Sequence, residues 1–420
     1  MKTLKIILGD KILRNRILFV IFILLIVRVL ATVPIPGIDK ASLAGASSSS
    51  SVLDLLNIFS GGGLSTLSII MLGVGPYITA SIIMQLLTVL VPKFKAMHQE
   101  EGESGRKKFS QYSRIITVPL ALIQGYAILS LLVSQKVIPA LTVPQYIFNS
   151  LIITAGTMLL MWLGEQINEY GIGNGVSLII FGGIVATIPK NIQQTIAGFD
   201  ISQIPIILAI LILVVVVIYG IVLITEAERP VPITYSKQAS SFYGASGLTS
   251  TYLPIRLNMT GVMPIIFAIS ILLFPQVMVQ LFNNSSNENL RNIASGVSDF
   301  LSNQLYYGII YFLLVVLFTY FYTAVTFDTE KTSENLQKSG AFIPGFRPGE
   351  ATSTHIGEIL SRITLVGALF LGSIAILPII MQWATGITTL AISGTSLLIA
   401  VSVVIDLVKK IDAQLTMREY

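Results

Sequence analysis

The sequence predicts an all-α polytopic membrane protein with ten spans arranged as two inverted halves of five. Three observations carry that reading. Of 420 residues, 53% are hydrophobic and only 11% charged, against roughly 25% charged in a soluble domain. The apolar residues gather into ten segments, at about 17–33, 64–91, 115–134, 147–166, 176–189, 204–225, 262–282, 305–327, 363–383 and 390–408. An even count puts both ends on one side, and the 26 Lys+Arg then divide 21 to 4, the four being Lys40, Lys136, Lys190 and Arg291, with Arg28 inside the first span. Basic residues are retained on the cytosolic side, so both termini are expected in the cytosol.

The first segment follows a basic amino terminus but runs into VPIPGI rather than a small-residue cleavage site, so it reads as a retained span. The second, Leu64 to Val91, is too long for one ordinary span: its 28 residues would reach roughly 42 Å as a helix against a hydrocarbon core of roughly 30 Å. Gly73-Val74-Gly75-Pro76 interrupts it, since proline removes a donor and the glycines weaken the preceding turn. We therefore expect two helical pieces that meet inside the membrane, at a break that is buried in protein or lines a pathway. The seventh segment repeats the device as Gly261-Val262-Met263-Pro264. With five spans per half the second half starts from the opposite face, so the two motifs occupy equivalent second spans of an inverted repeat. The division falls at 1–198 and 199–420.

Catalytic and metal chemistry find little support. Cysteine is absent, and His98 and His355 lie far apart in hydrophilic loops, so no thiolate or histidine metal site is expected. Glu165 and Glu169 are spaced i,i+4 at the end of the fourth span, where a solvated or helix-capping role is expected. Gly171, Gly173 and Gly175 lack the preceding strand and following Lys-Ser/Thr of a phosphate loop and read as a tight turn. Buried ionisable groups are scarce in the spans, which argues against an ion-coupled secondary transporter, the alternative an inverted repeat would otherwise allow. The net charge of +5 is a matter of loop placement and does not point to DNA.

Three hydrophilic stretches stand out. ASSSSSVLDLLNIFSGGG, after the first span, carries the short apolar run VLDLLNIF, expected to fold back into a cavity. The 226–258 loop alternates as VPITYS and TYLPI and reads as a projecting hairpin. The 328–362 loop holds Arg347 between proline-glycine turns in FIPGFRPG. Both loops exceed an ordinary connection and suit docking of a cytosolic partner.

The motifs LGVGPYITASIIMQLL, QEEGESGRKKFSQYSR, WLGEQINEYGIGNGVSLIIFGGI, YLPIRLNMTGVMPIIFA, NLQKSGAFIPGFRPG and GTSLLIAVSVVIDLVKKIDAQL, in this order along essentially the whole chain, resemble the SecY/Sec61-alpha family of protein-conducting channels. The resemblance implies ten transmembrane helices around a central hourglass pore, opening sideways between spans 2 and 7. It implies a pore ring of Val74, Ile78, Val176, Ile180, Ile266 and Ile399, and a lateral gate with the polar cluster Gln85, Gln124 and Asn258. It further implies a short plug helix at about 53–68, with Leu53, Leu55, Leu56, Ile58 and Phe59. Cytosolic docking is implied for Arg347, with Arg229 and Lys237 on the hairpin, whose tip lacks the family's paired arginines. Implied partners are the small membrane subunits SecE and SecG, the motor ATPase SecA, the ribosome, signal sequences, unfolded polypeptides and lipid. The implied activity is non-enzymatic and without cofactor: passage of secretory chains across, and lateral insertion of helices into, the bacterial plasma membrane, either as the general channel or as an accessory form with few substrates.

Overall fold

A computed structural model describes residues 10–37, 62–64, 66–99, 101–134, 137–197, 204–235, 251–283, 288–385 and 388–419. Each of the ten apolar segments contains a helix: α1 (Lys11–Leu30), α2 (Gly75–Leu90), α4 (Gly102–Ser134), α5 (Val143–Tyr170) and α6 (Gly175–Ala197) in the first half. In the second half they are α7 (Ile204–Glu226), α8 (Met263–Asn283), α10 (Gln304–Thr326), α12 (Glu350–Thr385) and α13 (Thr388–Glu419). Short helices α3 (Pro92–Gln99), α9 (Glu288–Ser302) and α11 (Thr329–Lys338) lie between them, with strands β1 (Glu228–Tyr235), β2 (Thr251–Arg256) and β3 (Ala341–Phe342).

The repeat is visible in the packing. In the first half the principal partners are α2 with α4 and α5, α4 with α5, α5 with α6, and α1 with α5 and α6. In the second half α8 pairs with α10 and α12, α10 with α12, α12 with α13, and α7 with α12 and α13. Numbering the spans one to five in each half makes the two sets identical. The halves meet along two seams: α8 packs on α2 and α4, and α13 packs on α6. One apolar cluster, from Val20 of α1 through Ile78, Ile180 and Ile266 to Val403 of α13, runs through both halves.

The structure corrects the reading of 64–91. The stretch ahead of the break is a stack of turns rather than a first helical piece. Helix α2 has 16 residues, about 24 Å, too short to cross the core alone. Residues 66–74 supply the rest as irregular backbone, which is stable at that depth because its polar groups are paired within protein. Ile35 N–H donates to Leu67 O at 2.9 Å, Ile69 N–H to Val33 O at 3.0 Å, Ser68 N–H to Gly63 O at 2.9 Å and Gly73 N–H to Ile70 O at 2.8 Å. Leu67, Ile70, Met71, Leu72 and Val74 are all buried.

Several helices also run beyond the apolar segments. α4 has 33 residues and α12 has 36, roughly 50 Å each against a hydrocarbon core of roughly 30 Å, and the base of α12 packs on the sheet. Arg28, read as lying within a span, sits in the last turn of α1, where a cation complements the helix carbonyls. Glu165 is half-buried and takes up an ion pair, its Oε1 accepting from Arg114 Nε at 2.7 Å and tying α5 to α4, while Glu169 is exposed.

The expected hairpin is present. β1 and β2 pair antiparallel, Glu228 opposite Arg256 and Ile233 opposite Thr251, and β3 joins the outer end of β1. Leu257 N–H donates to Ala227 O at 2.9 Å, so the alternating ladder places Pro230, Pro232 and Pro254 at positions whose N–H would point away from the partner strand. No ladder bond is lost, and both free edges lack donors there, which hinders further strand pairing. Val231 and Ile255 face inward and pack with Ile343, Ile356 and Leu360, fixing the sheet to the base of α12.

Candidate functional site

Two local devices set the geometry at the centre. Gly73 has φ +59° and Gly261 has φ +61°, the left-handed region that costs glycine little. In each motif the helix begins two residues later, at Gly75 and Met263, with proline as its second residue. There the missing N–H would have been unpaired anyway. Ile78 N–H donates to Val74 O at 3.0 Å and Ile266 N–H to Val262 O at 3.2 Å. The same backbone turn thus presents Val74 and Ile78 from one half and Val262 and Ile266 from the other.

The third contributor is the α5–α6 corner. Gly175 N–H donates to Asn168 Oδ1 at 2.7 Å, and Asn174 Oδ1 accepts from Val176 N–H at 3.1 Å and Ser177 N–H at 3.3 Å. A Cβ on Gly175 would meet the Gly164 backbone, so the corner closes only with glycine there. It aims Val176 and Ile180, one turn apart, toward the centre.

Val74, Ile78, Ile180, Ile266 and Ile399 are buried in the one cluster that spans both halves, with Val176 half-buried against it. The six residues come from α2 and its leading turn, α6, α8 and α13, the elements that form both seams. The six side chains are aliphatic and offer no hydrogen-bonding pattern of their own.

Of the residues expected at the lateral gate, Gln85 of α2 and Gln124 of α4 are half-buried and Asn258 is buried. The hydrogen bonds among the described residues do not join the three. Asn258 Oδ1 accepts from Thr260 Oγ1 at 3.2 Å, and Gln85 Oε1 is buried without a partner among the described residues. The expected plug residues Leu53, Leu55, Leu56, Ile58 and Phe59 lie outside the described residues, as does Lys237. Arg229 is exposed on β1 and Arg347 is exposed between β3 and α12. Thr352 Oγ1 donates to Arg347 O at 2.8 Å and Ser333 Oγ to Gly349 O at 2.6 Å, holding that loop firm. Beside it the rings of Phe346 and His355 stack at 3.8 Å.

The family profile of SecY matches residues 68–408, more than three quarters of the sequence. The chain belongs to the SecY family. It is 41% identical over 418 residues to the protein translocase subunit SecY of Vibrio cholerae, covering 97% of this chain and 93% of that relative. To the protein translocase subunit SecY of Thermotoga maritima it is 38% identical over 422 residues, covering 97% and 94%. Among solved structures it matches a protein-conducting channel with TM-score 0.63 at 18% identity, over 94% of this chain and 91% of that one. It also matches Sec61 in the canine ribosome-channel complex, with TM-score 0.62 at 17% identity and the same coverage. At those identities the structural matches establish the SecY fold.

One residue at the centre of this SecY-family chain escaped the sequence reading. Val262, half-buried against that cluster, is the counterpart of Val74, and the Gly-Val-x-Pro repeat already marked it. A second repeat was there to find: GVSLII at 175–180 and GTSLLI at 394–399 make Ile180 and Ile399 counterparts in spans 5 and 10.

Proposed function

We propose that this SecY-family translocase subunit is the channel through which unfolded polypeptides cross the bacterial plasma membrane and from which apolar helices pass sideways into lipid. The observation that carries the reading is the assembly of Val74, Ile78, Val176, Ile180, Ile266 and Ile399 in one apolar cluster where the halves meet. In this reading they are the pore ring. Gln85, Gln124 and Asn258 line the lateral gate between α2, α4 and α8, and a buried amide oxygen without a partner, as on Gln85, keeps that seam less stable than an all-apolar one. A signal sequence with enough apolar area replaces the α2–α8 contact and moves on to lipid, displacing a plug formed around residues 53–68.

The subunit contributes a path and no chemistry, so the driving force comes from partners. Exposed Arg347 and Arg229, with Lys237, serve as cytosolic contacts for the SecA motor or the ribosome, while SecE and SecG brace the bundle. The 21 to 4 division of basic residues supports cytosolic termini, with the sheet on the cytosolic side. The test is reconstitution with the small subunits and the motor in proteoliposomes. ATP-dependent protection of a signal-bearing precursor from added protease is expected; uptake of small solutes without precursor protection overturns the reading.

A further inference from the structure

We infer that α9, on the face of the membrane opposite the sheet, is an in-plane helix whose Ile293, Val297 and Phe300 edge sits in the lipid leaflet on that side. The helix is sorted into three strips. Ala294, Ser298 and Leu301, spaced i, i+4 and i+7, turn inward, Ala294 being fully buried and the others half-buried. Arg291, Ser295 and Asp299 are exposed along a polar strip. Ile293, Val297 and Phe300 form an apolar strip beside the buried one, 63%, 36% and 47% exposed. Water is a poor neighbour for such a strip, and the placement says what replaces it.

α8 enters the membrane beside the sheet and leaves it at Asn283, and α9 follows, packed on α8 and α10. α10 then re-enters the membrane with Leu305, Ile309 and Leu313 exposed along one side, the side a polytopic protein turns to acyl chains. Phe300 stacks on Tyr306 at the head of α10, centroids 5.3 Å apart and planes within 16°. The apolar edge of α9 is therefore continuous with the lipid-facing stripe of α10 and joined to it by an aromatic pair at the depth where such rings settle. An apolar edge beside a charged one is the arrangement that lies in the headgroup boundary. The far end of α8, the helix that packs on α2, is thereby moored to the bilayer surface, and any outward swing of α8 drags α9 through that leaflet.

The chain has no cysteine, so single-cysteine variants Ile293→Cys and Val297→Cys can each carry an environment-sensitive fluorophore, with Asn292→Cys and Ser295→Cys on the polar side and Ile309→Cys as the lipid-facing reference. All five positions are exposed and leave the packed strip intact. The full-length protein is reconstituted in phosphatidylcholine–phosphatidylglycerol vesicles containing nitroxide-headgroup lipid. Quenching by the nitroxide lipid at 293 and 297 is expected to approach that at 309 and to exceed that at 292 and 295 by about twofold or more, as for a helix sunk to the acyl boundary. Iodide quenching as strong at 293 and 297 as at 295 overturns the inference. So does shielding of 293 and 297 from both quenchers, which would assign the edge to a protein partner or a second copy.

Discussion

Val74, Ile78, Ile180, Ile266 and Ile399 are each no more than 5% exposed, yet their value in the proposed channel lies in excluding water rather than in burial alone. A hydroxyl there would wet the constriction at nearly constant shape. The pair Ile78→Thr and Ile266→Thr is expected to raise ion conductance through reconstituted protein on the order of tenfold, while Leu313→Thr, exposed on α10, leaves it unchanged. Planar-bilayer recording checks this, and equal conductance in both variants would count against a waist at these residues. Gln85 is a second case. Its buried Oε1 has no partner among the described residues, so Gln85→Leu is expected to keep or raise thermal stability, by up to about 1–3 kcal/mol. A clear loss in a thermal unfolding assay would mean that the amide is paired after all. The assignment of these positions to a ring rests on resemblance: nothing in an isoleucine's own neighbourhood along the chain distinguishes a ring position from ordinary packing.

Helices were the legible elements, because twenty apolar residues in a row leave a backbone few other solutions in lipid. The turns at 66–74 were not legible. Their apolar sequence matches a helix, and what overrides it is tertiary: a bridge from Ser68 to Pro34 and a close approach by α5. A Cβ on Gly156 of α5 would collide with the carbonyl of Ile69, so Gly156→Ala is expected to destabilise the protein by about 1–3 kcal/mol through overpacking. It should also displace Val74 and impair translocation. Gly357 of α12 faces open space, and Gly357→Ala is expected to add about 0.5–1 kcal/mol of stability. Parallel thermal denaturation of the two variants decides whether space or helix propensity governs these glycines. The hairpin in the 226–258 loop was readable from its alternation, whereas the ion pair of Glu165 was not, since Arg114 is 51 residues away in sequence.

At the scale of the molecule, the two halves repeat the same set of helix partners and the same left-handed glycine ahead of a proline-started helix. The odd number of spans per half made the inversion legible from counting alone; in the proposed function the seam that opens is the one assigned Gln85, Gln124 and Asn258. In the proposed function the drive comes from partners docked at exposed Arg347, and Arg347→Glu is expected to lower motor-dependent translocation about tenfold or more by removing a charge-assisted contact. Ion conductance of the channel should stay unchanged, and loss of both would mark a folding defect instead. The central claim is that a polypeptide passes between the halves, through the proposed pore ring. The measurement that addresses it most directly places a photoreactive residue singly at Ile78, Ile266, Ile399 or Leu313 and illuminates the complex with a stalled secretory chain in transit. Cross-links from the first three, contributed by both halves, and none from Leu313 are the predicted result; cross-links from Leu313 alone, or from none of the four, would contradict it.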